Sequence, residues 1–473
     1  MCSAIGQGWS EASICDSDNP LLLEAISKFV PPALIDKALT DTGHHSRRVR
    51  KLPATVVIWL VLLIGLRSDL DVPAMWRQLV GTLLSFLLRL VGRRPPSKSA
   101  FCTARQRVGP RPLRQLFLST ALPIAIDRTR GAYYKGMRLM AMDGQDYKVP
   151  DTPENAGAFG RPSTRRKDKK LPAGYPQIHV TRMIEVGTRM CVEALVKPSD
   201  ASDHHTAGKL LQRASPGDLV LWDKGYYSFQ RIAQAIGEHK FFLAPVPSHV
   251  VLDPIEKLPD GSFLAKVYPS PNHRRDDREG IVVRVVEYTF DDPDRTGHQQ
   301  RHRLITNLLD AEKFPAMELI VLYHERWEIE INNDEITTHQ LNRPVELRSR
   351  KPAGVVQELY GVLIAHNAVH AAMHEAALAI DVDPRTLSFM SAVRLIRDAI
   401  PVMRNAPTER LPAIYCGLIL AIAQCLLPPR DNRINPRVVK VLRPSNFPAK
   451  RPEHCHAPQP HKPFKESIRI LPK

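Results

Sequence analysis

An α/β architecture with a helical N-terminal domain is predicted for this 473-residue chain, on three observations. From Met137 to Pro245 the pattern runs strand, strand, strand, helix, strand, helix, strand. Asp143 ends the first of these strands, Asp223 ends the fourth, and Glu330 lies on a later helix. Before that region, apolar residues recur only at helical spacing. The succession of strands and acids is that of an RNase H-like catalytic core. A β-rich insertion at about 246–308 interrupts it, because 107 positions separate Asp223 from Glu330 and one helix and one strand need far fewer. The reading divides the chain into a helical N-terminal domain over 1–130, an α/β domain over 131–400, and C-terminal helices with a basic, proline-rich tail over 401–473.

Composition narrows the partner. The net charge is +17 and the isoelectric point about 9.6, which argues for a polyanion, nucleic acid ahead of an anionic membrane surface. Seven cysteines without a C-x-x-C pair signal neither a zinc ribbon nor a disulfide framework and suit a reduced cytosolic chain. The first twenty residues hold Glu11, Asp16 and Asp18, so no signal peptide is expected. The apolar run Ala54 to Leu66 is 13 residues long, too short to cross a bilayer, and reads as a buried helix.

In the N-terminal third, helices are expected at Pro20 to Phe29, Pro31 to Leu39, Pro53 to Leu66, Ala74 to Leu90 and Pro112 to Ile126, with Pro123 ending or kinking the last. Arginines and lysines punctuate them: Arg47, Arg48, Arg50 and Lys51, then Arg93 and Arg94, then Arg105, Arg107, Arg111 and Arg114. They suit DNA phosphates, or simply a solvated helical domain.

In the centre, Met137 to Met142 is a short strand that delivers Asp143. Tyr175 to Glu185 and Met190 to Val196 form a hairpin around Val186-Gly187-Thr188. A helix over Asp203 to Ala214 leads to the strand Leu219 to Trp222, which delivers Asp223. Ser228 caps a helix to Glu238, and Phe241 to Pro245 is the next strand. Within the insertion, Ser262 to Tyr268, Gly280 to Thr289 and His302 to Leu308 read as strands.

Leu319 to Leu341 reads as one helix. At about 100° per residue, Tyr323, Arg326, Glu330 and Thr337 fall within roughly 60° of each other. The alternative is a solvated charged stripe. Asn332 and Asn333 stand where an apolar residue is expected. Helices over Pro344 to Ala377, Ser388 to Met403 and Pro412 to Leu427 follow. Arg161 to Lys170, with Arg165, Arg166 and Lys167, reads as a DNA-contacting loop or a disordered solvated one. His204-His205 and His454-Cys455-His456 lack a partner cluster and are not read as metal sites. From Pro428 the tail carries 11 Lys and Arg against 3 Asp and Glu.

Three carboxylates from strand ends and a helix suit hard divalent cations such as magnesium or manganese, which act on phosphodiesters. The competing reading makes Asp143 and Asp223 turn aspartates before glycine and Lys-Gly.

These residues carry a resemblance. AMDGQDYKVPDTPENAGAFG (Ala141 to Gly160), LVLWDKGYYSF (Leu219 to Phe229) and YHERWEIE (Tyr323 to Glu330) resemble the three acidic segments of bacterial insertion-sequence transposases of the IS4 type, in the DDE superfamily. SRRVRKLPATVVIWLVLLIGL and PRVVKVLRPSNFPAKR are similar to the family's ends, so the likeness runs from about residue 20 to 451. It implies a triad of Asp143, Asp223 and Glu330 binding two Mg²⁺, with Mn²⁺ able to substitute. It implies binding of double-stranded DNA at terminal inverted repeats, cleavage, and strand transfer to target DNA by a homodimer on paired ends, in the bacterial cytoplasm at the nucleoid. Tyr323 and Arg326 would contact phosphates near the cut, and the insertion would shape the transposon end. Trp327 is read either as stacking on a displaced base or as a core residue. One position departs: Thr337 stands where the family has lysine, removing one phosphate-binding cation. Two rival readings follow, an RNase H-like nuclease without strand transfer and a catalytically impaired, element-derived DNA-binding protein.

Overall fold

A computed structural model of the protein describes residues 28–46, 52–80, 95–161, 163–166, 169–172, 174–199, 203–293, 295, 298–341, 343, 345–428 and 462–472. The helix expected over 20–29, the second half of that over 74–90, the basic groups at 47–51 and 93–94, Lys167, and most of the tail lie outside these residues. The chain divides into two compact units, Met1–Ser215 with Trp327–Leu427, and Pro216–Arg326 with Pro428–Lys473.

The first unit begins with helices α1 (Pro32–Asp41), α2 (Ala54–Leu66), α3 (Val72–Val80), α4 (Lys98–Val108) and α5 (Arg111–Thr120). Every residue of α2 except Thr55 is buried, so its all-round apolarity is that of a core helix. No helix among the described residues is long and apolar enough to cross a membrane. The Ser97 hydroxyl caps α4 by accepting from the Ala100 amide at 3.1 Å. Helix α5 stops before Pro123, as that residue requires.

Strands β1 (Tyr133–Tyr134) and β2 (Met137–Lys148) follow. The sequence reading ends the strand at Asp143; β2 instead runs on for five residues beyond it, placing Asp143 opposite Arg182. The reason is that Gln145 to Lys148 keep pairing with the next long strand, with the Tyr147 ring turned into the core. After helix α6 (Pro153–Phe159), the stretch read as a loop forms a two-stranded hairpin, β3 (Ser163–Arg166) with β4 (Lys169–Pro172). β5 (Gln177–Glu185) pairs antiparallel with β2 and with β6 (Met190–Pro198). In the β5–β6 turn, a Cβ on Gly187 would sit 2.5 Å from the Ala132 Cα, so only glycine fits. Glu185 is fully buried yet satisfied: its carboxylate accepts from the Ile124 and Ala125 amides, the Thr188 hydroxyl and Arg138. Helix α7 (Asp203–Leu211) ends this part.

The second unit opens with β7 (Leu219–Trp222), a 3₁₀ turn (Lys224–Tyr226), helix α8 (Phe229–Gly237) and β8 (Phe241–Pro245), which runs parallel to β7. Ser228 caps α8 from the predicted position. The insertion supplies β9 (Glu256–Lys257), β10 (Phe263–Val267), the short helix α9 (Pro271–Arg275), β11 (Ile281–Phe290) and β12 (His302–Thr306). These strands do not form a sheet of their own. β12 pairs with β8, and the order in this unit is β7-β8-β12-β11-β10-β9. The wholly buried Arg284 pins the insertion, donating to the Ser262 hydroxyl at 2.8 Å and the Phe314 carbonyl at 2.6 Å, and pairing with Asp260. Helix α10 (Ala316–Tyr323) and a 3₁₀ turn (His324–Arg326) close the segment.

The chain then returns to the first unit as α11 (Trp327–Asp334), a π-helical segment (Glu335–Leu341), α12 (Pro352–Ile380), α13 (Phe389–Asn405) and α14 (Leu411–Ala423). Far along the sequence, β13 (Ile468–Ile470) adds to β11 in the second unit. The single helix expected over Leu319 to Leu341 is thus α, 3₁₀, α and π in turn. Helix α12 is the axis of the first unit: α2, α5, α13 and α14 pack on it, and so does β6. Its closest neighbour is α2, because two glycines face each other. A Cβ on Gly65 would lie 2.4 Å from the Gly361 carbonyl oxygen, and one on Gly361 would lie 2.7 Å from the Val61 carbonyl oxygen.

Gly361→Val is expected to lower unfolding stability by about 3 kcal/mol, since backbone rather than a flexible side chain must move. Gly157→Ala, which meets open space, is the matched control and should be neutral or stabilising by up to about 1 kcal/mol. Urea denaturation of both variants checks the pair.

Candidate active site

Asp143 and Glu330 belong to the first unit, where β2 and α11 pack on each other. Asp143 Oδ1 accepts the Gly144 amide at 2.8 Å, which fixes the carboxylate on the strand. Its cross-strand neighbour Arg182 is buried and reaches α11: the guanidinium donates to Asn332 Oδ1 at 2.8 Å. Asn332 in turn donates to the Arg189 carbonyl at 2.8 Å. This explains the asparagine that breaks the apolar pattern. A leucine there would leave a buried guanidinium and a buried carbonyl without that partner.

The Arg189 side chain carries the linkage further. Its Nε donates to Glu328 at 2.7 Å and its Nη1 to Glu335 at 2.6 Å, one acid on each side of Glu330 along the chain. His370 on α12 approaches the other Glu335 oxygen at 2.9 Å. Burial pushes the Glu335 carboxyl up, but Arg189, His370 and His366 together hold it well below the usual carboxylate range. Glu330 is therefore presented by a helix held at two flanking acids and one amide. Arg182, Arg189, Glu328, Glu335 and His370 escape the sequence reading; the anomalous Asn332 is the one visible signal of them.

Asp223, Tyr323 and Arg326 belong to the second unit. Asp223 follows β7 at the N-terminal side of the 3₁₀ turn, as expected. The Tyr323 hydroxyl lies 3.5 Å from the Trp222 carbonyl oxygen, next to Asp223. Because His324–Arg326 is 3₁₀, residues three apart eclipse, and the Arg326 guanidinium sits 5.9 Å from the centre of the Tyr323 ring. Burial raises the Tyr323 phenol far above its ordinary range despite Arg326, so the hydroxyl is a donor at neutral pH. Between them, His324 packs at 3.6 Å on Phe464 from the tail. Burial, with Arg295, Arg326 and His302 beside it, lowers His324 to about 4.

The remaining predicted residues divide. Trp327 is 46% exposed, which removes the core reading, whereas Arg326 is 8% exposed. Thr337 lies in the π segment, half-buried, and its hydroxyl donates to the Asn333 carbonyl at 2.9 Å. Arg165 and Arg166 lie on β3. Asp143, Asp223 and Glu330 are each half-buried, so none is sealed from solvent. Each offers carboxylate oxygens, the donor type that hard divalent ions prefer.

Residues 20–118 match the family model described as insertion element 4 transposase N-terminal, and residues 134–368 match that of the transposase DDE domain. The transposase InsG for insertion sequence element IS4 of Escherichia coli (strain K12) is 32% identical over 450 residues, covering 94% of this chain and 97% of that one. A putative transposase InsZ of the same organism is 28% identical over 216 residues, 45% of this chain and 68% of its own. The cryo-EM structure of a piggyBac transposase synaptic complex with hairpin DNA matches with a TM-score of 0.42 at 14% identity, over 85% of this chain and 86% of that chain.

Asn332→Leu is expected to lower stability by about 2–3 kcal/mol, the cost of leaving buried polar groups unpaired. Thermal or urea unfolding measures it. For His324 the sign follows from proton uptake. The unfolded ring binds a proton near pH 6.5 and the folded one near 4, so the unfolded state holds more protons in between. The contribution is intact above pH 6.5 and lost as pH falls toward 4. His324→Phe should flatten the fall in unfolding midpoint between pH 7 and pH 5.

Proposed function

The chain belongs to the IS4 family of DDE transposases, and we propose that Asp143, Asp223 and Glu330 are the carboxylates with which it cuts and joins DNA. It is a divalent-metal-dependent DNA transposase with an RNase H-like core and a helical N-terminal region. The observation that carries the assignment of residues is the Arg182–Asn332–Arg189 linkage, which fastens the helix of Glu330 to the strands around Asp143. Buried polar links of that kind cost desolvation, so their presence beside two candidate acids argues for a held geometry.

In this reading Asp143, Asp223 and Glu330 would hold two magnesium ions, which manganese could replace, and the bound ions would supply Lewis-acid charge for phosphodiester chemistry. The Gly144 amide orients Asp143, and Arg189 orients the helix of Glu330 from both sides. Tyr323, kept protonated by burial, donates to a phosphate oxygen, with Arg326 fixing its ring. Trp327 offers an exposed indole for a base drawn out of the stack. Arg165, Arg166 and Lys167 bring positive charge to the stretch of sequence that follows the Asp143 segment. Thr337 adds no cation to this set. The substrate is the element's own terminal inverted repeat and a target duplex, and two copies of the chain act on paired ends. The N-terminal helices over 1–130 bind the end, and the element works in the cytoplasm on nucleoid DNA.

The test is cleavage of a labelled duplex carrying that repeat, with Mg²⁺ and then Mn²⁺. Glu330→Gln should lose at least about a hundredfold in rate, the usual loss when a group serving transition-state charge is removed. Thr337→Lys should steepen the salt dependence of binding by about one unit. A native chain that binds the repeat but cuts it with neither ion would overturn the enzymatic reading in favour of an impaired DNA-binding protein. Cleavage without joined products would favour a nuclease.

A further inference from the structure

Away from the three candidate acids, one buried cluster in the first unit has metal-ligand chemistry. His366 and His370 stand one turn apart on the same face of α12. Glu335, the first residue of the π-helical segment, points between them. One ligand atom from each of the three lies within 4.8 Å of the others. Glu335 Oε2 is 2.9 Å from His370 Nε2 and 3.4 Å from His366 Nε2. Two ligands about 2.1 Å from a zinc ion at a tetrahedral angle stand about 3.4 Å apart, so these separations are already near a coordination edge.

Four further observations favour an occupant. Nδ1 of the fully buried His366 has no hydrogen-bond partner among the described residues, and its Nε2 meets only Glu335, at a long 3.4 Å. A sealed imidazole in that state is costly unless something fills the space at its nitrogen. Glu335 is oriented from its other oxygen by Arg189 at 2.6 Å, as a ligating carboxylate is held by a partner behind it. The Phe389 ring lies 5.1 Å from the His366 ring and 5.3 Å from the His370 ring, closing one side with an apolar wall. In charge, Glu328 and Glu335 face the single guanidinium of Arg189, while Arg182 is engaged with Asn332 and Gln145.

We propose that Glu335, His366 and His370 form a structural site for a borderline transition-metal dication, zinc by preference, distinct from the carboxylate site for hard ions. Two imidazoles and one carboxylate favour zinc, cobalt or nickel over magnesium. Three protein ligands leave one coordination position. The ion would tie α12 to the π-helical segment directly behind the helix of Glu330. The competing occupant of the same space is a proton shared by His370 and Glu335.

The full-length protein, stripped with a chelator, would be titrated with Co²⁺ as a visible probe. One equivalent should give the intense absorption of imidazole-bound, low-coordinate cobalt, bleached by Zn²⁺ and not by excess Mg²⁺. Zn²⁺ should also raise the melting temperature. His366→Phe and the milder His366→Gln should each weaken Co²⁺ by more than the roughly 10–100-fold that loss of a merely orienting partner costs. Glu330→Gln should keep both the band and the zinc-dependent rise, which separates this site from the proposed catalytic one. A native chain, folded by circular dichroism, that gives no intense band and no zinc-dependent rise would overturn the proposal in favour of the shared proton. So would a band that survives both His366 substitutions.

Discussion

The first unit depends on one buried cation. The Arg189 guanidinium is inserted between Glu328 and Glu335, and nearly all of its side chain is out of water. Through it a β-hairpin turn, an α-helix, a π-helical segment and, by way of His370, the long helix α12 meet at one point. Such a group is a poor source of net stability, because desolvation offsets most of the attraction, but it tolerates few alternatives. Removing either acid would leave charge uncompensated at a cost of about 3–5 kcal/mol. Arg189 itself adopts a left-handed backbone, φ 56, at the hairpin turn, a mildly strained position retained where its side chain is needed. Geometry rather than energy is what this arrangement secures.

A second constraint acts on the same unit from the opposite kind of chemistry. Helices α2 and α12 approach until backbone touches backbone at Gly65 and Gly361, and α2 has no polar face to orient it. Apolar burial alone would let two such helices slide. The glycine contact fixes their register, and Gln340 adds to it by donating to both the Gly65 and Val362 carbonyls. The π-helical segment that carries Glu335 is thereby anchored at its far end to the same helix pair.

Much of this was legible in the residues. Alternation and turn signals place β5, β6, β7 and β8 and the three main insertion strands, and short apolar strands predict where Asp223 falls. Periodicity misleads where the period itself changes. From Leu319 onward an ideal helix was the natural reading, yet the chain passes through 3₁₀ and π turns, because buried polar partners decide the local geometry there and side-chain hydrophobicity does not. Asp143 looked like a strand end because Asp-Gly is a turn signal; long cross-strand pairing to β5 overrode it. The linkage through Arg182, Asn332 and Arg189 was illegible for a simpler reason. Its members are up to 150 positions apart, and only the fold makes neighbours of them. His366 and His370 at helical spacing were visible in principle, but nothing in the sequence names the glutamate that faces them.

The small strand β13 has a consequence in time. It lies on the same side of β11 as β10, continuing that edge past Tyr288. Its residues are made roughly 180 positions after those it pairs with. While the ribosome is still adding them, the insertion presents bare backbone donors and acceptors at an apolar edge, the kind of surface that invites another nascent chain. The order of synthesis therefore leaves the sheet unprotected for longest at the end of β11, from Tyr288 to Phe290.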